Sequence, residues 1–202
     1  MRRLWPLIVV LLLAACTGPS IPPSPTSPAA APSSADPPGT GDAAIAALMG
    51  RPLRLPTVAP GSACPVSKVT ERSPVAQAAD ARGLGTGPLY PITFYIGENG
   101  TLRLGRETPG ADGLYELKVV WATSAGFQGP AVVRVGRVDG TGRGLVRLYY
   151  DSTASRGDAV VFAPTTYPSD YPSGTFVSGP GCYAYQIDGA NLEEVIVFRV
   201  VA

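Results

Sequence analysis

The feature that most constrains the fold is a series of short β-prone runs, spaced by turn signals, from about residue 66 to residue 201. Leu114 to Thr123 alternates with period two, placing Leu117, Val119 and Trp121 on one side and Glu116 and Lys118 on the other. Ala131 to Val138 repeats the pattern, with Val133 and Val135 inward and Arg134 outward. In Leu145 to Tyr150, Val146, Leu148 and Tyr150 oppose Arg147 and Tyr149. Val66 to Thr70, Leu89 to Gly97, Thr101 to Leu104, Ala159 to Ala163 and Thr175 to Ser178 are shorter runs. Gly181 to Ile187 and Glu194 to Val201 read as a closing hairpin turned at Asp188-Gly189, with Tyr183, Tyr185 and Ile187 sharing a face. About seven to nine short strands at such spacing predict an all-β, antiparallel sandwich or barrel.

The turns add detail. Asn99-Gly100 between Leu89–Gly97 and Thr101–Leu104 is the strongest local hairpin signal, so those runs are expected to pair. Gly136 interrupts an alternation that would otherwise point Arg137 inward, which predicts a bulge or bend. Pro164 to Gly174 reads as a loop. The glycines of Gly83 to Gly87 suggest a phosphate loop, but Pro88 and a strand follow where a helix would be required.

The N-terminus has a different grammar. Arg2 and Arg3 precede an apolar run from Leu4 that closes on Leu13-Ala14-Ala15-Cys16. A charged region, an apolar stretch and a small-residue exit make a secretory signal peptide over residues 1–15. Its terminal cysteine resembles the lipobox of bacterial lipoproteins, which implies that Cys16 is lipidated, with palmitate among the acyl groups, and becomes the first mature residue. Residues 17–41 contain eight prolines among Ser, Thr, Ala and Gly. Such a stretch cannot bury enough apolar area to order itself and favours polyproline II, so residues 16–41 are expected to form a lipidated stalk. Asp42 as N-cap and Gly50 as stop frame one short helix from Ala43 to Met49. Arg51 to Pro56 is too proline-rich for a central strand. It is expected to lie extended with Leu53 and Leu55 docked, completing an arm over residues 42–65 before a domain of residues 66–202. A helical turn is expected at Ala76 to Arg82.

Residue usage excludes much chemistry. The chain has no histidine. This removes Ser-His-Asp and Cys-His nucleophile systems and the HExxH zinc motif. No calcium loop or cofactor motif is present either. With 16 basic and 15 acidic residues, the chain lacks the charge footprint of a nucleic-acid binder. Of three cysteines, Cys64 and Cys182 remain once Cys16 is assigned to lipid. An even pair in an oxidising compartment predicts a disulfide; two buried thiols are the alternative.

Gly181-x-Tyr183-x-Tyr185-x-Ile187 resembles the penultimate strand of immunoglobulin-like domains. The resemblance implies an immunoglobulin-like sandwich, a Tyr183 hydroxyl bonded back to the backbone, and a buried Trp121. Tyr185 stands where antibody domains place a core cysteine, so a Cys64–Cys182 bond would tie the arm rather than the two sheets. The whole arrangement is similar to small envelope lipoproteins of GC-rich bacteria.

Candidate functional residues are few. Asp139-Gly140-Thr141-Gly142 lacks the second aspartate of an aspartic protease and reads as a turn. Glu193-Glu194 point to opposite faces of a strand. Thr165 to Pro172 carries Tyr167, Asp170 and Tyr171 on a proline-stiffened segment. These could stack on and bond to a sugar or peptide, unless both rings simply cover the sandwich end. The expectation is a non-catalytic lipoprotein anchored to a membrane by its acyl groups, its sandwich used for ligand binding or envelope structure. It would face outward from the cell membrane or outer membrane and contact an envelope polysaccharide or protein. The alternative is a histidine-free hydrolase using two carboxylates.

Overall fold

A computed structural model describes residues 41–70, 82–93, 99–124, 127–150, 155–163 and 169–202. The signal peptide, Cys16 and the stalk through residue 40 lie outside the described residues, as does most of the helical turn expected at 76–82. The described residues contain one helix, α1 (Asp42–Met49), and ten strands: β1 (Arg82–Gly83), β2 (Leu89–Thr93), β3 (Thr101–Arg103), β4 (Tyr115–Thr123), β5 (Ala131–Arg137), β6 (Gly144–Leu148), β7 (Ala159–Phe162), β8 (Asp170–Val177), β9 (Gly181–Gly189) and β10 (Glu193–Val201). They form two five-stranded sheets, β1-β2-β4-β8-β6 and β3-β10-β9-β5-β7. Every pairing is antiparallel except β3 with β10. The fold is an all-β open sandwich.

The strand order carries the immunoglobulin pattern. β2, β4, β8 and β6 take the A, B, E and D places, and β5, β9 and β10 take C, F and G. The departures are β1 at the edge of the first sheet, β3 parallel to β10, and β7, which comes between the D and E places in the chain and pairs at the other edge of the second sheet. Tyr183 bonds back to the backbone, its hydroxyl donating to Gly179 O at 2.9 Å. Tyr185, at the place of the antibody core cysteine on strand F, shares a hydroxyl hydrogen bond of 2.7 Å with Thr175 of β8, the E strand. Burial holds the Tyr185 phenol well above its ordinary range.

The core follows the alternation. Leu117, Val119 and Trp121 from β4 meet Tyr183, Tyr185 and Ile187 from β9 and Ile196 and Phe198 from β10. Trp121 is fully buried, with its ring centroid 5.0 Å from Tyr185 and 5.5 Å from Phe162. Tyr185 stacks on Phe198 at 4.6 Å. Each such side chain contributes about 1.5–3 kcal/mol by leaving water.

The outer face of the second sheet is covered by the arm. Leu48 of α1 is buried, and Val58 packs with Val138, Ala184, Val197 and the Cys64–Cys182 pair. That pair is disulfide-bonded, with Cα atoms 5.5 Å apart and 118 residues of separation. Val58 N–H donates to Val138 O at 2.7 Å, and Ser67 N–H to Val197 O at 2.9 Å.

Several expectations are corrected. Asn99-Gly100 is a turn, with Gly100 at φ +60°, but β2 and β3 belong to different sheets, so it is a crossing and not a hairpin. Val66 to Thr70 forms an isolated bridge, Val69 to Leu84, and not a strand. Gly136 forms no bulge: β5 and β9 keep one register from Ala131–Gly189 to Arg137–Tyr183. Its missing side chain instead admits the arm, since a Cβ there would meet Leu55 Cδ1 at 2.7 Å. Arg137 keeps the alternation and ends over the Tyr183 ring, 5.6 Å from its centroid. Gly41, not Asp42, is the N-cap of α1, and Gly50 ends it in a right-handed conformation. Leu55 docks, but Leu53 is 50% exposed. Tyr150 lies past the end of β6 and is 58% exposed, not inward.

Candidate binding surface

Of the expected ligand residues, the described two, Asp170 and Tyr171, point to opposite sides of one strand. Tyr167 lies outside the described residues, as does Cys16. Asp170 and Tyr171 open β8, which extends through what reads in the sequence as loop. As strand neighbours they face opposite sides. Tyr171 is 8% exposed, its ring 5.2 Å from Phe162 and 5.8 Å from Tyr150. Its ring packs over the end of the core. Asp170 is exposed on the outer side, and partial burial of its carboxyl holds it above the ordinary range.

The other motifs are structural. Asp139 accepts from Arg137 Nε at 2.7 Å and from Cys182 N–H at 2.9 Å, fixing the turn against β9. Glu194 Oε1 accepts from Thr86 N–H at 2.6 Å and from its hydroxyl at 3.0 Å. The glycines flanking Thr86 make room for this: a Cβ at Gly85 would strike Ile196 and Glu194, and one at Gly87 the Tyr90 ring. The glycine-rich segment is a close-packed clamp.

A second polar cluster fastens the arm. Asp188 is 1% exposed and accepts from Arg134 Nη2 at 2.6 Å and from Gln186 Nε2 at 2.9 Å. Arg134 Nη1 donates to Arg51 O at 2.6 Å, Gln186 Nε2 to Pro52 O at 3.1 Å, and Arg54 N–H to Gln186 Oε1 at 2.5 Å. These side chains are occupied in holding the chain; clefts of about 700 and 860 Å³ border the arm, and a further cluster lies on the opposite face of the sandwich.

On that face, the outer side of the first sheet, three strands build one cluster. Register places Gly174 of central β8 between Lys118 of β4 and Arg147 of β6. With no side chain at 174, Glu116, Arg147 and Tyr149 meet across the strand. Tyr149 Oη donates to Glu116 Oε1 at 2.6 Å, and Arg147 Nη2 donates to the same oxygen at 3.0 Å. The Arg147 guanidinium lies 5.3 Å from the Tyr149 centroid and 5.5 Å from that of Phe176. Arg156 lies over Phe176 at 5.1 Å and pairs with Asp112 at 2.9 Å. Tyr149 remains 36% exposed. Beside it a cleft of about 470 Å³ is lined by Arg103, Glu107, Glu116, Lys118 and Tyr149 above a floor of Leu102 and Leu117.

Burial, then the hydrogen bond to Glu116, pushes the Tyr149 phenol up to about 12. It therefore keeps its proton at neutral pH and serves as a donor, the opposite of an activated nucleophile. Glu107 and Glu116 share the cleft, as a two-carboxylate hydrolase would require. Glu116, however, is engaged by Tyr149 and Arg147, and Glu107 is exposed on the loop after β3. Among the described residues no three His, Cys, Asp or Glu side chains gather as a metal site. No described helix is long and apolar enough to cross a membrane. Sequence reading missed this cluster because it depends on the register of three strands; its one local trace is the alternation of Arg147 and Tyr149 on the outer side of β6.

Comparison with protein-family models, with curated proteins and with solved structures found no match.

Proposed function

We propose that this chain is an exported lipoprotein whose sandwich is a non-catalytic binding domain, presenting the outer face of its first sheet to a component of the cell envelope. The observation that carries this reading is the difference between the two outer faces. One is crossed by a disulfide-tied arm bordered by clefts of about 700 and 860 Å³, and the other holds Glu116, Arg147 and Tyr149 in a fixed, partly exposed arrangement beside a cleft. The Leu13-Ala14-Ala15-Cys16 sequence supports attachment to the extracytoplasmic side of a membrane through acyl groups on Cys16. Because the chain reaches the domain through α1 on the arm-covered side, the Tyr149 face lies on the far side of the sandwich from that entry point.

Labelling with a palmitate analogue, followed by membrane fractionation of wild type and Cys16→Ala, tests the anchor. Label and membrane association should both disappear in the variant. Unchanged fractionation would contradict the anchored reading.

A further inference from the structure

We propose that the cleft beside Tyr149 binds an uncharged carbohydrate, an inference that rests on the reading of this face as the binding surface. The cleft wall supplies two bases, Arg103 and Lys118, and two acids, Glu107 and Glu116. The formal charges of these four cancel, and Arg147 pairs with Glu116 from beside the cleft. An anionic ligand would meet two carboxylates, and a cationic one would meet two bases. A neutral polyhydroxylated ligand suits both sets, because its hydroxyls donate to carboxylates and accept from Lys and Arg. Tyr149 adds a flat apolar ring with a polar tip, the combination that stacks against a sugar's C–H face while bonding to its rim. The ring is held in place beforehand by Glu116 and Arg147, which lowers the entropic cost of binding.

The test is calorimetric titration of the full-length mature chain with soluble neutral glucan, mannan, galactan and arabinan oligosaccharides. Polygalacturonate and chitosan oligomers serve as charged controls. Saturable binding of at least one neutral oligosaccharide is expected, weakened roughly tenfold or more by Tyr149→Ala. Lys118→Ala, at an exposed position, should also weaken it. Absence of binding to all neutral oligosaccharides, preference for a charged one, or equal affinity in both variants would overturn the proposal. A protein cross-linked in cells through position 118, without sugar binding, would also overturn it while leaving the binding-face reading intact.

Discussion

The Tyr149 hydroxyl and Glu116 Oε1 are 2.6 Å apart, and Arg147 reaches the same oxygen at 3.0 Å. A tyrosine on β6's exit is thereby bound to an acid two strands away. The Tyr149 phenol, at about 12, lies above its ordinary value of 10.0, chiefly through burial and secondarily through Glu116. Ultraviolet difference titration of wild type against Tyr149→Phe should isolate this step. In Glu116→Gln it should move down yet stay above 10.0, because burial remains. The folded state keeps a proton that the unfolded chain releases between pH 10.0 and about 12, so this group's contribution to stability falls as pH rises through that window.

Gly174→Ala tests whether the cluster depends on the missing side chain. Its Cβ would lie 2.6 Å from Glu116 Oε1 and 2.9 Å from Tyr149 Oη. The variant should separate these groups, lower the Tyr149 titration toward its ordinary value, and lose about 1–3 kcal/mol of stability. Thermal unfolding and the same titration measure both effects.

Asp188→Ala should destabilise the domain by about 3–5 kcal/mol, because it leaves Arg134 buried without its partner. Replacing Asp188 and Arg134 together, by Leu and Met, should recover part of the loss. A denaturant-unfolding cycle of the two single variants and the double variant reads the coupling directly.

Cys64→Ser with Cys182→Ser should cost about 4–5 kcal/mol in the chain-entropy account of a loop this long. Hydrogen exchange should show the arm responding first. The Val58 and Ser67 amides, bonded to Val138 O and Val197 O, should exchange faster than the amides of β9 by more than the global loss of stability requires.

What was legible in the sequence was whatever depends on neighbours along one strand. Leu117, Val119 and Trp121 announce their face by alternation, and Tyr183 announces its corner. Cys64 and Cys182 were identifiable as a pair because they are the two cysteines left once Cys16 is assigned to the expected lipobox. What was not legible depends on strands distant in sequence. Asn99-Gly100 carries hairpin chemistry, yet β2 and β3 join different sheets, so tertiary pairing overrides the local turn.

Pro172 concealed the start of β8, a central strand. Its carbonyl accepts from Tyr149 N–H just beyond the end of β6. The proline's missing donor faces that same gap, so the ladder with β4 loses nothing. Pro91 on β2 follows the same logic, with its carbonyl turned toward Leu84 on the edge side. The Glu116–Arg147–Tyr149 cluster needs the registers of β4, β8 and β6 together, and no local pattern encodes that.

The central claim is that the Tyr149 face, and not the arm face, meets the envelope. Site-specific photo-cross-linking in intact cells tests it most directly, with the reactive residue placed at Lys118 on one face or at Leu53, 50% exposed, on the arm. The account predicts a discrete cross-linked envelope product from position 118, abolished by Tyr149→Ala, and none from position 53. Equal products from both positions, or a product from position 53 alone, would contradict it.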